Sequence, residues 1–171
     1  MVNKSLKYEK DPFIGDWMNS MLLAGGISSF TPPEDEARLT EYIWNNYVVS
    51  EMNFTHLHKT TGSFIPSTPP YPNQEEFLDF NNFDTHRDTG YSTIIFAGHG
   101  NPTSFISAGI NPPVYDSNDA STSANNHMPS LLYADACTTS SYDIGDNSIG
   151  ELLIKRQNAG SIGYIGALRV S

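Results

Sequence analysis

Four short runs that are apolar along nearly their whole length do most to constrain the fold. They cover 18–24, 91–97, 130–136 and 161–168, and the first three close on Gly25-Gly26, Gly98-His99-Gly100 and Cys137. Runs of this length bounded by turn residues read as strands, and the lack of alternation marks them as buried on both faces. A fifth, alternating segment at 54–58 reads as a further short strand. Helical spacing lies between them. Thr31, Pro32, Pro33, Glu34, Asp35 and Glu36 open the first helix, because proline and acidic residues suit a first turn, and Leu39, Tyr42, Ile43 and Tyr47 continue it. The pattern at 75–83 places Phe77, Phe80 and Phe83 on one side, and that at 148–158 turns Ile149, Leu152 and Leu153 inward before Ala159-Gly160 closes it. The segment 60–72, rich in Pro, Ser and Thr, reads as loop, and 101–129 as a long polar segment without periodicity. Doubly buried strands separated by helices imply an α/β fold, a three-layer sandwich with a mostly parallel sheet and helices on both faces.

In such a sheet, ligands bind beyond the carboxyl ends of the strands. His99 and Cys137 each stand at one. A thiol attacks as its thiolate, which a neighbouring imidazole generates and stabilises. The interval between them leaves room for their strands to pair directly or to sit one strand apart. Read alone, Cys137 is equally a small buried hydrophobe, and His99 an ordinary turn histidine. Gly98 and Gly100 allow a substrate to approach the main chain, and the Gly100 N–H would face the reaction centre as an oxyanion donor. Asp135 shares a strand face with Cys137 while Ala136 points the other way. It is either a negative charge at the base of a specificity pocket selecting Arg or Lys, or one half of a salt bridge to Lys155 or Arg156.

Composition bears on partners. The formal net charge of −10 argues against nucleic acid, whose binding is driven by Lys and Arg. The single Cys excludes an internal disulfide and any CxxC site, and His56 with His58 lacks a visible third metal ligand. Lys4, Lys7 and Lys10 are followed by no apolar run of signal-peptide length, and no stretch reaches that of a membrane span. Few lysines with much Asn, Ser, Thr and Tyr suit an extracellular or cell-surface protein. Length predicts one domain over 1–171, and the end at Ser171 directly after a strand reads as the edge of a longer chain.

Ile94-Ile95-Phe96-Ala97-Gly98-His99-Gly100 and Ser130-Leu131-Leu132-Tyr133-Ala134-Asp135-Ala136-Cys137 together resemble the caspase-fold clan of cysteine peptidases. Within it the chain is most similar to the gingipain-like family. The segment 101–105 after Gly-His-Gly, the helix around 149–153 and the Gly-led strand at 160–166 carry that likeness, as does Asp16-Trp17 at its start, so that 16–169 resembles the family's catalytic subdomain. The resemblance implies a cysteine endopeptidase acting on protein or peptide substrates. Cys137 would be nucleophile and His99 acid/base, with Gly100 N–H and Cys137 N–H holding the oxyanion. Asp135 and Gly98 would line the primary specificity pocket and favour Arg or Lys. The family's carboxylate after the first strand is absent, since that region reads Leu23-Ala24-Gly25-Gly26, which leaves Glu34 or Asp35 to support the histidine or reach a basic substrate. No cofactor is required on this reading. Calcium is common in the family, and Asp116 to Asp119 and Asp143 to Asp146 are either oxygen-rich sites for it or solvated turns. The same dyad also suits a thiol transpeptidase or acyltransferase, and the missing carboxylate suits a catalytically idle adhesion or assembly module.

Overall fold

The structure is a computed structural model and describes residues 2–30, 33–58, 76–108, 112–143, 145 and 147–170, the side chains of Pro33, His56 and His58 excepted. The predicted loop at 60–72 lies outside the described residues. The elements are α1 (Val2–Lys10), a 3-10 turn (Asp16–Asn19), β1 (Ser20–Gly25), β2 (Ile27–Phe30), β3 (Pro33–Asp35), α2 (Ala37–Tyr47), β4 (Asn53–His58), β5 (Glu76–Phe77) and α3 (Phe80–Thr89). They continue with β6 (Thr93–Ala97), β7 (His99–Asn101), β8 (Ser104–Ile106), β9 (Tyr115–Asp116), α4 (Ser117–Thr122), β10 (Ser130–Asp135), α5 (Ile149–Lys155) and β11 (Ser161–Gly166).

The four apolar runs become β1, β6, β10 and β11. They form a sheet of order β11-β10-β6-β1-β4-β5 in which every neighbouring pair is parallel. The chain steps outward from β1 to β4 and β5, then returns to the other side of β1 for β6, β10 and β11. The order thus reverses between β1 and β6, and in such folds ligands bind outside the carboxyl ends of the strands at that point.

One face of the sheet carries the main core. Leu22, Ile94, Phe96, Leu132 and Ala134 pack there against Phe83 of α3, Phe105 and Tyr115 of the β7–β9 sheet, and Ile149 and Leu153 of α5. Stacked Phe96 and Phe105 rings, 4.7 Å between centroids, fasten that second sheet to the first. On the opposite face α2 covers Met21, Leu23 and Ile95 with Ile43 and Trp44. Among the described residues nothing extends that cover over β10 and β11, where Leu131, Tyr133 and Ile165 are 43%, 39% and 55% exposed.

Several boundaries differ from the sequence reading. Pro33–Asp35 does not open α2 but pairs antiparallel with β2, and the helix begins at Ala37, whose N–H donates to Asp35 Oδ1 at 3.0 Å. The helix expected at 75–83 starts only at Phe80. Asp79 is extended and accepts from the Asn82 N–H at 2.9 Å, a side-chain cap that sets the start. The stretch 101–129 holds β8, β9 and α4, too short for periodicity to show. In α5, Ser148 and Glu151 form a reciprocal capping box, and the helix ends at Lys155, short of the expected 158.

Helix α1 is pinned by Lys4. Its ammonium lies 2.8–3.1 Å from the carbonyl oxygens of Ile154, Arg156, Ala159 and Ser161, with Leu153 O at 3.4 Å, and its three N–H groups are shared among them. It thereby satisfies the carbonyls at the end of α5 and the start of β11, which no further turn of helix supplies with donors. Lys4→Met is expected to cost about 2–3 kcal/mol in urea unfolding, since it removes charge-assisted bonds and strands their acceptors, while Lys7→Met on the exposed side stays near neutral.

Candidate active site

Two adjacent parallel strands deliver the site. β6 pairs directly with β10, with Ala97 opposite Asp135, and the ladder runs one step further through Gly98 N–H to Asp135 O at 3.0 Å. His99 and Cys137 each follow the last pair of this ladder by two residues, at the carboxyl ends of neighbouring strands. Of the two spacings open to the sequence, direct pairing is the one the chain adopts.

Behind them the main chain is in close contact. A Cβ on Gly100 would lie 2.8 Å from Cys137 O, 2.9 Å from the Ala136 Cβ and 2.7 Å from the Thr139 Cγ2. Only glycine lets β7 press onto the turn that follows Cys137. From the opposite side Gly166 does the same, its missing Cβ being 2.8 Å from Thr139 Oγ1 and 3.0 Å from Ser140 Oγ. The first turn of α5 closes the back, with Gly150 N–H donating to Thr139 O at 3.2 Å.

His99 is exposed, and its Nε2 donates to the carbonyl of Ser28, in β2, at 2.5 Å. A carbonyl only accepts, so Nε2 carries the proton and the neutral ring keeps its lone pair on Nδ1. Ser28 Oγ in turn donates to Glu36 Oε1 at 2.6 Å, and the Glu36 N–H donates to Gly26 O at 2.9 Å. The carboxylate linked to His99 through this chain of bonds is Glu36. Asp35 instead spends Oδ1 on the first amide of α2, and Glu34 is exposed on β3. A backbone carbonyl has no sequence signature, and Glu36 became visible only once the β2–β3 hairpin folded it over Ser28.

Cys137 is half-buried and outside any disulfide. Asp135 is exposed and Ala136 buried, as their alternation requires. The cations offered as its alternative partners are engaged elsewhere: Lys155 Nζ lies 3.2 Å from Glu151 Oε1, and Arg156 Nε donates to Ser123 O at 3.1 Å. Gly98 forms the half-buried bend between β6 and β7. Arg169, whose carbonyl accepts from Thr138 N–H at 3.2 Å, is met by Asp143, and its hydrogen bonds hold that carboxyl below the usual range.

Among the described residues no group of three or more His, Cys, Asp or Glu is gathered to hold a metal ion. Asp116 and Asp119 cap α4 reciprocally, with Asp119 Oδ2 accepting from the Asp116 N–H at 2.8 Å. Residues 144 and 146 of the second oxygen-rich loop lie outside the described residues, as do the side chains of His56 and His58 on β4.

A model of peptidase family C25 matches residues 1–171. The chain belongs to peptidase family C25. Solved structures with the same fold include one described as "Structure of Protease" (20% identity, TM-score 0.74) and the Arg-specific cysteine proteinase gingipain R (14% identity, TM-score 0.64). The complex of the pro- and mature domains of Porphyromonas gingivalis RgpB is a third (15% identity, TM-score 0.62). They cover 98–99% of this C25 chain, which spans only 33–35% of theirs. No curated protein is significantly similar to it. No described helix of this C25 chain is long and apolar enough to cross a membrane.

Proposed function

We propose that this C25 chain carries the catalytic centre of an extracellular or cell-surface cysteine endopeptidase that cleaves after Arg or Lys. The observation that supports it most is the direct pairing of β6 and β10, the two strands whose carboxyl ends lead into His99 and Cys137. In the reaction, the Cys137 thiolate attacks the scissile carbonyl carbon. A C–S bond forms and the carbonyl π pair moves onto oxygen, where Gly100 N–H and Cys137 N–H receive it. As the oxyanion collapses, the C–N bond breaks and the imidazolium gives its Nδ1 proton to the leaving amine. Water then adds to the thioester, losing a proton to Nδ1, and the acid product leaves with the thiol–imidazole pair restored. Throughout, Ser28 O holds Nε2–H, which keeps Nδ1 as the working nitrogen.

The preference for a basic residue rests on Asp135. It is exposed beside Cys137, and the cations suggested for it are paired with other groups. Arg169, the cation whose backbone meets the Cys137 turn, is balanced by Asp143, so Asp135 is the charge left for a substrate. Fluorogenic peptides with Arg, Lys, Asp or Asn before the scissile bond test the reading. Arg and Lys peptides are expected to be cleaved and Cys137→Ala to be inert. Cleavage that survives Cys137→Ala removes the nucleophile, preference for Asp removes the Asp135 pocket, and acyl transfer to an added amine in place of hydrolysis moves the chain to the transferases.

A further inference from the structure

The residue after the cysteine is the most strained point of the site. Thr138 has φ +56°, left-handed backbone that a β-branched side chain avoids. Such a conformation persists only where its surroundings hold it. Thr138 O accepts both the N–H and the Oγ–H of Ser141, at 3.1 and 2.7 Å, which closes the turn on itself. The rest of the hold comes from the segment after β11. Arg169 O accepts Thr138 N–H at 3.2 Å, and Ala167 O accepts Ser140 N–H at 3.0 Å. The Arg169 guanidinium then reaches the far end of the same turn, where it binds both oxygens of Asp143, Nη1 to Oδ1 at 2.9 Å and Nη2 to Oδ2 at 2.5 Å. Nη1 also donates to Leu168 O at 2.8 Å, which fixes the plane of the group. One residue thus clips both ends of the turn that begins at the thiol, by its backbone at Thr138 and by its side chain at Asp143.

We propose that Arg169 and Asp143 form a latch that keeps the Cys137 turn in its strained, reactive geometry, which makes both positioning residues for the thiol–imidazole pair. This inference rests on the reading of Cys137 and His99 given above. The pair is 61% and 60% exposed, so its contribution to global stability is small. Its bidentate geometry instead orients the turn locally. Loss of the latch lets Thr138 relax toward ordinary backbone and carries Cys137 out of register with His99.

The test is alkylation of Cys137 by iodoacetamide, followed by mass across a pH series. It needs no substrate. In the unaltered protein the rate is expected to rise at a pH below that of a free thiol, and His99→Ala moves that rise upward. Arg169→Ala and Asp143→Ala are each expected to shift it up by roughly half to one pH unit, a slowing of about three- to tenfold near neutrality, with the unfolding temperature nearly unchanged. The reversed pair, Arg169→Asp with Asp143→Arg, restores most of the loss. So does Thr138→Gly placed on Arg169→Ala, because glycine adopts the turn without the latch. A His99-dependent profile that Arg169→Ala leaves in place overturns the latch alone. A profile that His99→Ala does not move overturns the thiol–imidazole reading and the latch with it. If Arg169→Ala fails to fold, Asp143→Ala decides: an upward shift with the unfolding temperature nearly unchanged supports the latch, and a profile equal to that of the unaltered protein overturns it.

Discussion

Replacing His99 with alanine is expected to lower hydrolysis of a peptide amide by about 10²- to 10⁴-fold, and that of an activated ester much less once the pH is raised. The proposed mechanism gives the imidazole two tasks, and the two substrates separate them. An amine leaves only when protonated, so amide cleavage needs the Nδ1 proton at any pH. A nitrophenolate leaves as an anion and asks only for a thiolate, which an unassisted cysteine supplies above its ordinary pKa of about 8.5. The ratio of ester to amide rates in His99→Ala should therefore rise with pH. Equal losses on both substrates at high pH would mean that His99 shapes the site without moving a proton. Glu36→Gln is the graded companion. It leaves Ser28 O in place and weakens only the bond at Ser28 Oγ, so its loss should be far smaller than that of His99→Ala.

Asp135→Asn carries the second large effect. On peptides with Arg before the scissile bond, kcat/KM should fall by about 10- to 150-fold, the worth of a charge-assisted hydrogen bond to a cation. Peptides with a neutral residue there should be nearly unaffected, because they make no such bond. The unfolding temperature should not move, since Asp135 is exposed and its backbone carbonyl, which accepts from Gly98 N–H, is untouched. Asp135→Lys should invert the preference toward acidic residues. If Asp135→Asn left the ratio of Arg to neutral substrates unchanged, the selecting charge would lie elsewhere, with exposed Glu34 on β3 the next to test.

Much of this was legible in the chain because strong local signals coincide. The runs that became β1, β6, β10 and β11 are apolar enough to pair as a parallel sheet, though β10 and β11 keep one face exposed against the expectation of burial on both, and the strand ends lead into His99 and Cys137. The same logic failed at 33–35 and 76–79. Proline and acidic residues suit the first turn of a helix, and they also suit the hairpin strand β3, whose choice depends on pairing with β2. Phe77, Phe80 and Phe83 keep a helical spacing, but only Phe83 reaches the buried core, while Phe77 belongs to β5 and is 55% exposed. Periodicity reports which residues can share a face and not which neighbours are available to cover it.

By itself the sequence determined the fold class and the family resemblance, and it singled out the two residues on which the proposed chemistry rests. Those depend on side-chain type and on spacing within single strands. Tertiary structure decided that β6 and β10 are direct neighbours, that Ser28 O orients the His99 ring, that Glu36 stands behind it, and that Arg169 grips both ends of the Cys137 turn. Each of these runs through a backbone carbonyl or a strand pairing between residues distant in the chain. A backbone carbonyl is the same at every residue, so no pattern of side chains announces which one will be used.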